Sequence, residues 1–142
     1  MRPSRKATYA LRAALALAIQ GPAGESVRAA DLARRTGVPA KFLEVILSDM
    51  GRAGLCLGRR GPEGGHRLAR PPGQIRAGDV VRAVDGPLGF AGEVGRAEDA
   101  AAACLRALWQ RVEQAVARTL DGVTLDDLRQ EAGQADGRDF SI

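Results

Sequence analysis

Residues 27–70 have the sequence VRAADLARRTGVPAKFLEVILSDMGRAGLCLGRRGPEGGHRLAR, and this stretch decides the fold. Its first half predicts two short helices joined by a tight turn, because apolar residues recur at helical spacing on both sides of Gly37. Gly37 can adopt the positive φ that such a turn requires, and Val38 would fill the angle between the helices. Pro39 suits the start of the second helix, where a missing N–H costs nothing. We therefore expect a helix-turn-helix.

The second half of this stretch predicts a two-stranded hairpin. Apolar and polar residues alternate on both sides of a turn that is rich in Gly and Pro, in the segment LCLGRRGPEGGHRLAR, residues 55–70. The same turn could be a flexible loop or the phosphate-binding loop of a nucleotide enzyme. A nucleotide loop is disfavoured, because it would need a Lys-Ser or Lys-Thr pair, a buried strand before it and a helix after it. A hairpin directly behind a helix-turn-helix is a wing.

Four further helices are expected outside this stretch, each from a run of helix-forming residues bounded by turn-forming ones. They cover residues 8–19, 75–84, 98–120 and 125–131. The last begins at a capping box of Thr124 and Asp127. The fold class is therefore mainly α with a small β-hairpin wing. We expect a winged helix-turn-helix domain over 1–86, a flexible loop over 87–97, a dimerisation helix with a short C-terminal helix over 98–133, and a polar tail over 134–142.

The long helix predicts a partner surface. Its apolar residues step by three or four and form one narrow stripe over about four turns. Such a helix on a small domain is most simply covered by its own copy in a two-fold homodimer, although it could also pack back on its own domain. The expected dimer interface consists of Leu105, Leu108, Trp109, Val112 and Val116.

The net charge of +4 is distributed unevenly along the chain. Residues 1–70 carry 13 Lys and Arg against 5 Asp and Glu, whereas residues 71–142 carry 8 against 12. A basic half is either a solvated face or a surface that meets a polyanion. Because these cations surround the predicted helix-turn-helix, we expect double-stranded DNA as the partner.

Composition disfavours several other classes of protein. The longest apolar run, residues 13–19, is far short of the roughly 20 residues that a membrane helix needs, so we expect a cytoplasmic protein without a membrane partner. Two cysteines and a single His66 cannot build a disulfide framework or a histidine-based metal site. No pairing of a nucleophile with a base points to an enzyme.

The order of these features resembles the Rrf2 family of winged-helix transcription regulators over residues 3–131. The resemblance rests on the wing motif RGPEGG, residues 60–65, followed by IRAGDVVRAVDGPL, residues 75–88, and by a long helix that bears a tryptophan. It implies a homodimer, in our expectation a repressor, that binds a palindromic operator with its long helices crossing at the dimer axis. The alternative is a winged-helix module that binds proteins or senses thiol redox state with little affinity for DNA.

The resemblance also assigns roles at the DNA surface. The second helix of a helix-turn-helix lies in the major groove, where Lys41 can donate to guanine or phosphate and Glu44 can accept from cytosine N4. Glu44 could also be a surface charge paired with Lys41 or Arg52. Arg60 suits a narrow minor groove, and the start of the first helix and Arg28 are expected on phosphate. The full expected set is Ser4, Lys6, Tyr9, Arg28, Pro39, Lys41, Glu44, Arg59, Arg60, Gly64 and Gly65.

Many members of the family sense through an iron-sulfur cluster held by three cysteines before the tryptophan. This chain has only Cys104 there, whereas a cluster needs about four ligands and carboxylates suit it poorly. We therefore expect no cofactor and no metal. Cys104 could be a thiol switch, an intersubunit bridge or a small buried residue, and we expect Cys56 simply to pack. The signal could equally be a small molecule or a partner protein.

Overall fold

The structure, a computed structural model, describes residues 3–21, 23–62, 64–89 and 98–140, with the side chains of the last helix described as far as residue 135. Within these ranges the chain forms helices and one antiparallel hairpin. They are α1 (Arg5–Gln20), α2 (Ala29–Thr36), α3 (Ala40–Arg52), β1 (Cys56–Arg59), β2 (Gly65–Leu68), α4 (Ala77–Asp85), α5 (Ala100–Asp121) and α6 (Leu125–Phe140). A single 3-10 turn, Pro72–Gln74, precedes α4. No described helix is long and apolar enough to cross a membrane.

Helix α1 forms the centre of the core. It packs against α2, α3, α4, α6 and β2. Its buried face is mostly alanine, including Ala10, Ala13 and Ala14, and these small side chains let several elements approach one helix closely. The helix begins three residues before the predicted start at residue 8, because Ser4 caps its first turn.

The helix-turn-helix prediction is confirmed. Gly37 ends α2 in the left-handed conformation, with a φ of 71°, and its N–H donates to the carbonyl of Ala33. Val38 is buried between the two helices, and Leu43 and Ile46 turn the inner face of α3 toward the core. The turn chemistry and the apolar spacing therefore place α3 across the surface of the domain.

The wing prediction is confirmed as well. β1 and β2 pair antiparallel, from Cys56 opposite Leu68 to Arg59 opposite Gly65. The hairpin is also joined to the segment before α2, because Val27 and His66 exchange backbone hydrogen bonds of 2.8 and 2.7 Å. The wing is thus fixed at its base to the same body that carries α3.

The C-terminal half returns to the N-terminal core. The N–H of Ala77 donates to the carbonyl of Val123, and the N–H of Leu125 donates to that of Ile75. Leu125 is fully buried in the same cluster as the apolar residues of α1. The first turn of α6 is therefore part of the core of the winged-helix domain. The predicted domain boundaries had placed this turn outside that domain, in the segment over 98–133.

Helix α6 is longer than the predicted short helix. The expected capping box is present, since the Thr124 N–H donates to Asp127 and the Asp127 N–H donates to the Thr124 hydroxyl. The helix then continues to Phe140, so the expectation that it ends at residue 131 is wrong, and most of the predicted polar tail is helical. A glycine such as Gly133 costs a helix only about 1 kcal/mol and does not end it as proline would. The predicted flexible loop lies mostly at residues 90–97, outside the described residues.

An ion pair joins α4 to the end of α5. The two terminal nitrogens of Arg82 donate to the two carboxylate oxygens of Asp121, each at 2.8 Å. Gly78 makes room for this pair, because a Cβ at residue 78 would lie 1.9 Å from Asp121 Oδ1. The hydrogen bonds from Arg82 hold the pKa of Asp121 below its ordinary value. The direction in which α5 leaves the winged-helix domain is therefore fixed by a planar, two-bond contact.

Candidate nucleic-acid interface

The outer face of α3 presents the residues that the sequence predicts for the major groove. Its inner side is buried through Leu43 and Ile46, whereas Lys41, Glu44 and Ser48 are exposed on the opposite side. These three residues lie three or four positions apart and so follow one face of the helix. Pro39 is exposed immediately before the first turn, in extended conformation. The structure thus brings Pro39, Lys41 and Glu44 together at one end of the helix.

Glu44 has no salt-bridge partner among the described residues. Of the two partners considered for it, Arg52 pairs with Asp49. Lys41 makes no ion pair within the described ranges either. Phosphate would repel a lone carboxylate on a DNA-binding surface unless that carboxylate accepted a hydrogen bond from a base. Base readout by Glu44 therefore stays a prediction with which its surroundings are compatible.

Residues at the start of α1, predicted to contact phosphate, also make hydrogen bonds and ion pairs within the protein. The Ser4 hydroxyl oxygen accepts from the Ala7 N–H at 2.9 Å, and the hydroxyl donates to Asp85 Oδ2 at 2.6 Å. This serine therefore caps α1 and links it to the end of α4. Phosphate contact by Ser4 stays a prediction, to which the structure adds an internal role.

Lys6 also has an internal partner. Its ammonium lies 2.6 Å from Asp49 Oδ2, and Arg52 donates to the other oxygen of the same carboxylate. Asp49 is only 9% exposed, yet the hydrogen bond from Lys6 holds the pKa of its carboxyl below the ordinary value in spite of burial. Two cations share one carboxylate here, so one positive charge remains uncompensated at this point of the surface.

Tyr9 lies beside α3. Its ring packs edge-on against Phe42, with 5.7 Å between the ring centroids. Tyr9 is half-buried, whereas Phe42 remains 45% exposed. Tyr9 therefore supports α3 from the side, next to Lys6 one turn earlier on α1.

The wing carries exposed cations at its tip. Arg59 and Arg60 are both exposed at the end of β1, as the sequence predicts. Arg28, expected on phosphate, is exposed at the start of α2 and donates to the carbonyl of Pro62 in the wing turn. Arg28 thus holds the wing turn, which follows Arg60, by a hydrogen bond.

The two glycines of the wing serve its own folding. A Cβ at Gly64 would lie 2.2 Å from the carbonyl oxygen of Arg59, and a Cβ at Gly65 would lie 2.6 Å from that of Val27. Gly65 also has a φ of 141°. Both glycines belong to the DNA-binding set expected from the sequence, and that assignment stays a prediction. The close approach that the structure shows is to the chain's own backbone.

The two cysteines occupy very different surroundings. Cys56 is buried as expected, its thiol donates to the carbonyl of Leu47, and burial raises its pKa to about 11. Cys104 is exposed on α5, so in the single chain it is not the small buried residue that was one alternative. Burial lowers the pKa of His66 in β2. No group of three metal-ligating side chains occurs among the described residues.

The sequence reasoning overlooked three residues of this surface. Phe42 and Val45 are apolar but lie outside the buried stripe of α3, and they remain 45% and 50% exposed. Asp49 is the opposite case, since it is a carboxylate at the edge of the buried stripe. All three residues could have been found by asking which positions of α3 have a side chain of the wrong polarity for their place on the helix.

Comparison with known proteins identifies the family. The model of the Rrf2 family, described as iron-dependent transcriptional regulator, matches residues 3–131. The chain belongs to the Rrf2 family. Rrf2 relatives include the HTH-type transcriptional regulator CymR of Bacillus subtilis, which is 35% identical over 129 residues that cover 90% of this chain and 89% of CymR.

Solved structures of Rrf2 proteins share the whole architecture. The structure of CymR, titled the global cysteine regulator of B. subtilis, matches with a TM-score of 0.77 and 30% identity over 92% of this chain and 98% of that one. The IscR of T. potens matches with a TM-score of 0.78 and 30% identity over 95% and 90%. The protein is therefore a transcription regulator with the winged-helix DNA-binding fold of the Rrf2 family, and not an enzyme.

The description of the Rrf2 family includes iron, and a cluster held by cysteines would need several thiolates. The sequence has two cysteines and one histidine. Cys56 is buried in the wing with a raised pKa, which disfavours the thiolate that a metal requires. Only Cys104 remains as an accessible thiol on α5. The donor chemistry of this chain does not fit a cysteine-held cluster.

Proposed function

We propose that the protein acts in the bacterial cytoplasm as a homodimeric repressor that binds a palindromic operator. The observation that carries the proposal is that two exposed elements lie on one domain, joined by the backbone hydrogen bonds between Val27 and His66. The recognition helix α3 presents Lys41 and Glu44, and the wing presents Arg59 and Arg60. A helix for the major groove and a basic hairpin for the adjacent minor groove together suit one half-site of duplex DNA.

The charge distribution supports DNA as the ligand. The positive excess lies in residues 1–70, which contain α1, the helix-turn-helix and the wing. Phosphate contacts of this kind release counterions, so binding must weaken steeply as salt is added. The alternative, a winged helix that binds protein with little affinity for DNA, predicts a shallow dependence on salt.

The homodimer is supported by the surface of α5. This helix has 22 residues and only Ala102 is buried, while Leu105 and Leu108 are 48% and 47% exposed. Two exposed leucines one turn apart suit a second copy of the same helix. Two copies related by a two-fold axis would present two α3 helices to a palindromic site, and a dimer that covers a promoter blocks transcription.

We propose further that the protein works without an iron-sulfur cluster and responds to a small molecule or a partner protein. The support is the donor set, in which a single accessible thiol stands where several would be needed. Anaerobically purified protein should be colourless and free of stoichiometric iron. A brown protein with a visible cluster spectrum would overturn this part of the proposal.

The main test is a titration of the purified protein against its own upstream DNA at several salt concentrations. If the dimer neutralises six or more phosphates, affinity should fall about a thousandfold between 50 and 200 mM salt. Replacing Arg60→Glu should weaken binding about tenfold or more, because it removes a cation and adds a charge that phosphate repels.

Arg118→Glu is the matched control, because it makes the same change of charge at an exposed residue of α5. It should leave the affinity nearly unchanged. A nearly flat dependence on salt, or no binding at low salt, would overturn DNA binding as the function. Equal effects of the two charge reversals would remove the wing from the site.

A further inference from the structure

The recognition helix exposes an apolar strip beside its polar face. Phe42 and Val45 are 45% and 50% exposed, and they are neighbours because they lie one turn apart on α3. Tyr9 extends the strip onto α1 and holds the Phe42 ring from one side. We call Phe42 and Val45 the apolar strip.

Cations stand at both ends of the apolar strip. Lys41 precedes Phe42 and is one turn from Val45, and the carboxylate of Asp49, one turn after Val45, gathers Lys6 and Arg52. An exposed apolar patch on a small protein commonly marks an interface. An apolar patch that is flanked by cations is complementary to a polyanion whose phosphates lie on either side of apolar groups.

The major groove of DNA offers one apolar group for such a strip, the C5 methyl of thymine. Resting on the proposed function, we propose that Val45, with Phe42 beside it, reads thymine methyl groups in each half-site of the operator. Lys41 and Glu44 would then supply the polar readout and Val45 the apolar readout of one helix. The operator class is thereby narrowed to half-sites with an A·T pair opposite the middle of α3.

The test removes the methyl group alone. Bound sequences are first selected from randomised duplex DNA with the wild-type protein, and each thymine of the selected half-site is then replaced by uracil, one at a time. At one or two positions the replacement should weaken binding about fourfold, the effect expected for one buried methyl group. Uracil keeps the base pairing of thymine, so the change is confined to the groove.

Variants then connect the methyl to the side chain. Val45→Ala should bind uracil and thymine half-sites equally at that position, while Lys41 and Glu44 continue to select their own bases. Alanine favours the helix, so α3 is preserved in this variant. Ile19→Ala is the matched control, since Ile19 is 48% exposed at the far end of α1, and it should keep the full preference for thymine.

The outcomes separate the two proposals. Sequence-specific binding with a flat response to every uracil, or a selected half-site without thymine, overturns methyl readout and leaves DNA binding intact. A thymine preference that survives in Val45→Ala assigns the methyl contact to another residue and also overturns the inference. Absence of any selected sequence at low salt overturns the proposed function itself.

Discussion

Asp49 holds two cations on the face that is proposed to bind DNA. It is a nearly buried carboxylate on a face where a free negative charge would repel phosphate. Lys6 from α1 and Arg52 from the end of α3 both bind it, so it holds two cations in place and leaves one positive charge in excess. Its contribution is to stability and to the placement of cations.

We expect Asp49→Asn to lower the free energy of unfolding at pH 7 by about 1–2 kcal/mol, because it removes two charge-assisted hydrogen bonds. The pKa of Asp49 is lowered in the folded protein. Its stabilisation is therefore complete above its ordinary pKa of 3.8 and is lost as the pH falls through the lower, folded value. Urea unfolding of the variant and the wild type should give a difference in the free energy of unfolding that narrows as the pH falls below 3.8.

Asp31→Asn is a suitable comparison for this measurement. Asp31 also pairs with an arginine three residues away, Arg34, but the Asp31 side chain is 45% exposed, whereas that of Asp49 is 10% exposed. Its replacement should change the stability by less than about 0.5 kcal/mol. An Asp49→Asn gap that stays constant from pH 7 to pH 3 would contradict the assignment of this network.

Helix α5 is long and is anchored at one end. It is about 33 Å long, by the rise of an α-helix over its 22 residues. It is anchored at its C-terminal end by the ion pair between Arg82 and Asp121, while the leucines of its N-terminal half lie open. The exposed leucines are where the proposed homodimer would place the second copy of the chain.

We expect the double variant Leu105→Glu, Leu108→Glu to be a monomer, because two carboxylates facing their copies across a two-fold axis repel and lose their apolar contact. Sedimentation measures the mass, and the protected length of operator should shrink to one half-site. The control, Ala103→Glu with Ala107→Glu, adds the same charge at exposed residues on the other side of α5. Retention of the dimer by the leucine double variant would count against this interface.

The elements that the sequence predicted correctly are those that local rules determine. The turn at Gly37, the wing and the capping box before α6 each depend on residues within a few positions of one another. The helix ends were less accurate, because the start of α1 depends on the cap at Ser4 and the length of α6 on the tolerance of a helix for Gly133.

The site was predicted in part for the same physical reason. Lys41, Glu44 and Arg60 are exposed where the spacing placed them. The partners of Ser4 and Arg28 lie 81 and 34 residues away along the chain, and no local pattern contains such contacts. Side chains that the sequence could only describe as polar and near the DNA therefore proved to be joined to other parts of the fold.

In the molecule as a whole, the N-terminal helix α1 and the start of α6 share one core. Helix α1 packs against α6, and Leu125 is fully buried among the residues that support the helix-turn-helix. The helix-turn-helix and the segment that leads into α6 are therefore joined by contacts of long sequence separation.

This closure imposes an order on the synthesis of the protein. The recognition helix leaves the ribosome early, but the core beneath it is completed only when Leu125 has emerged, after the whole of α5 has been made. A nascent chain that has not yet formed α6 lacks Leu125 in this core and the contact between α6 and α1. We therefore expect the winged-helix domain to reach its full stability only late in synthesis, after α5 has been made.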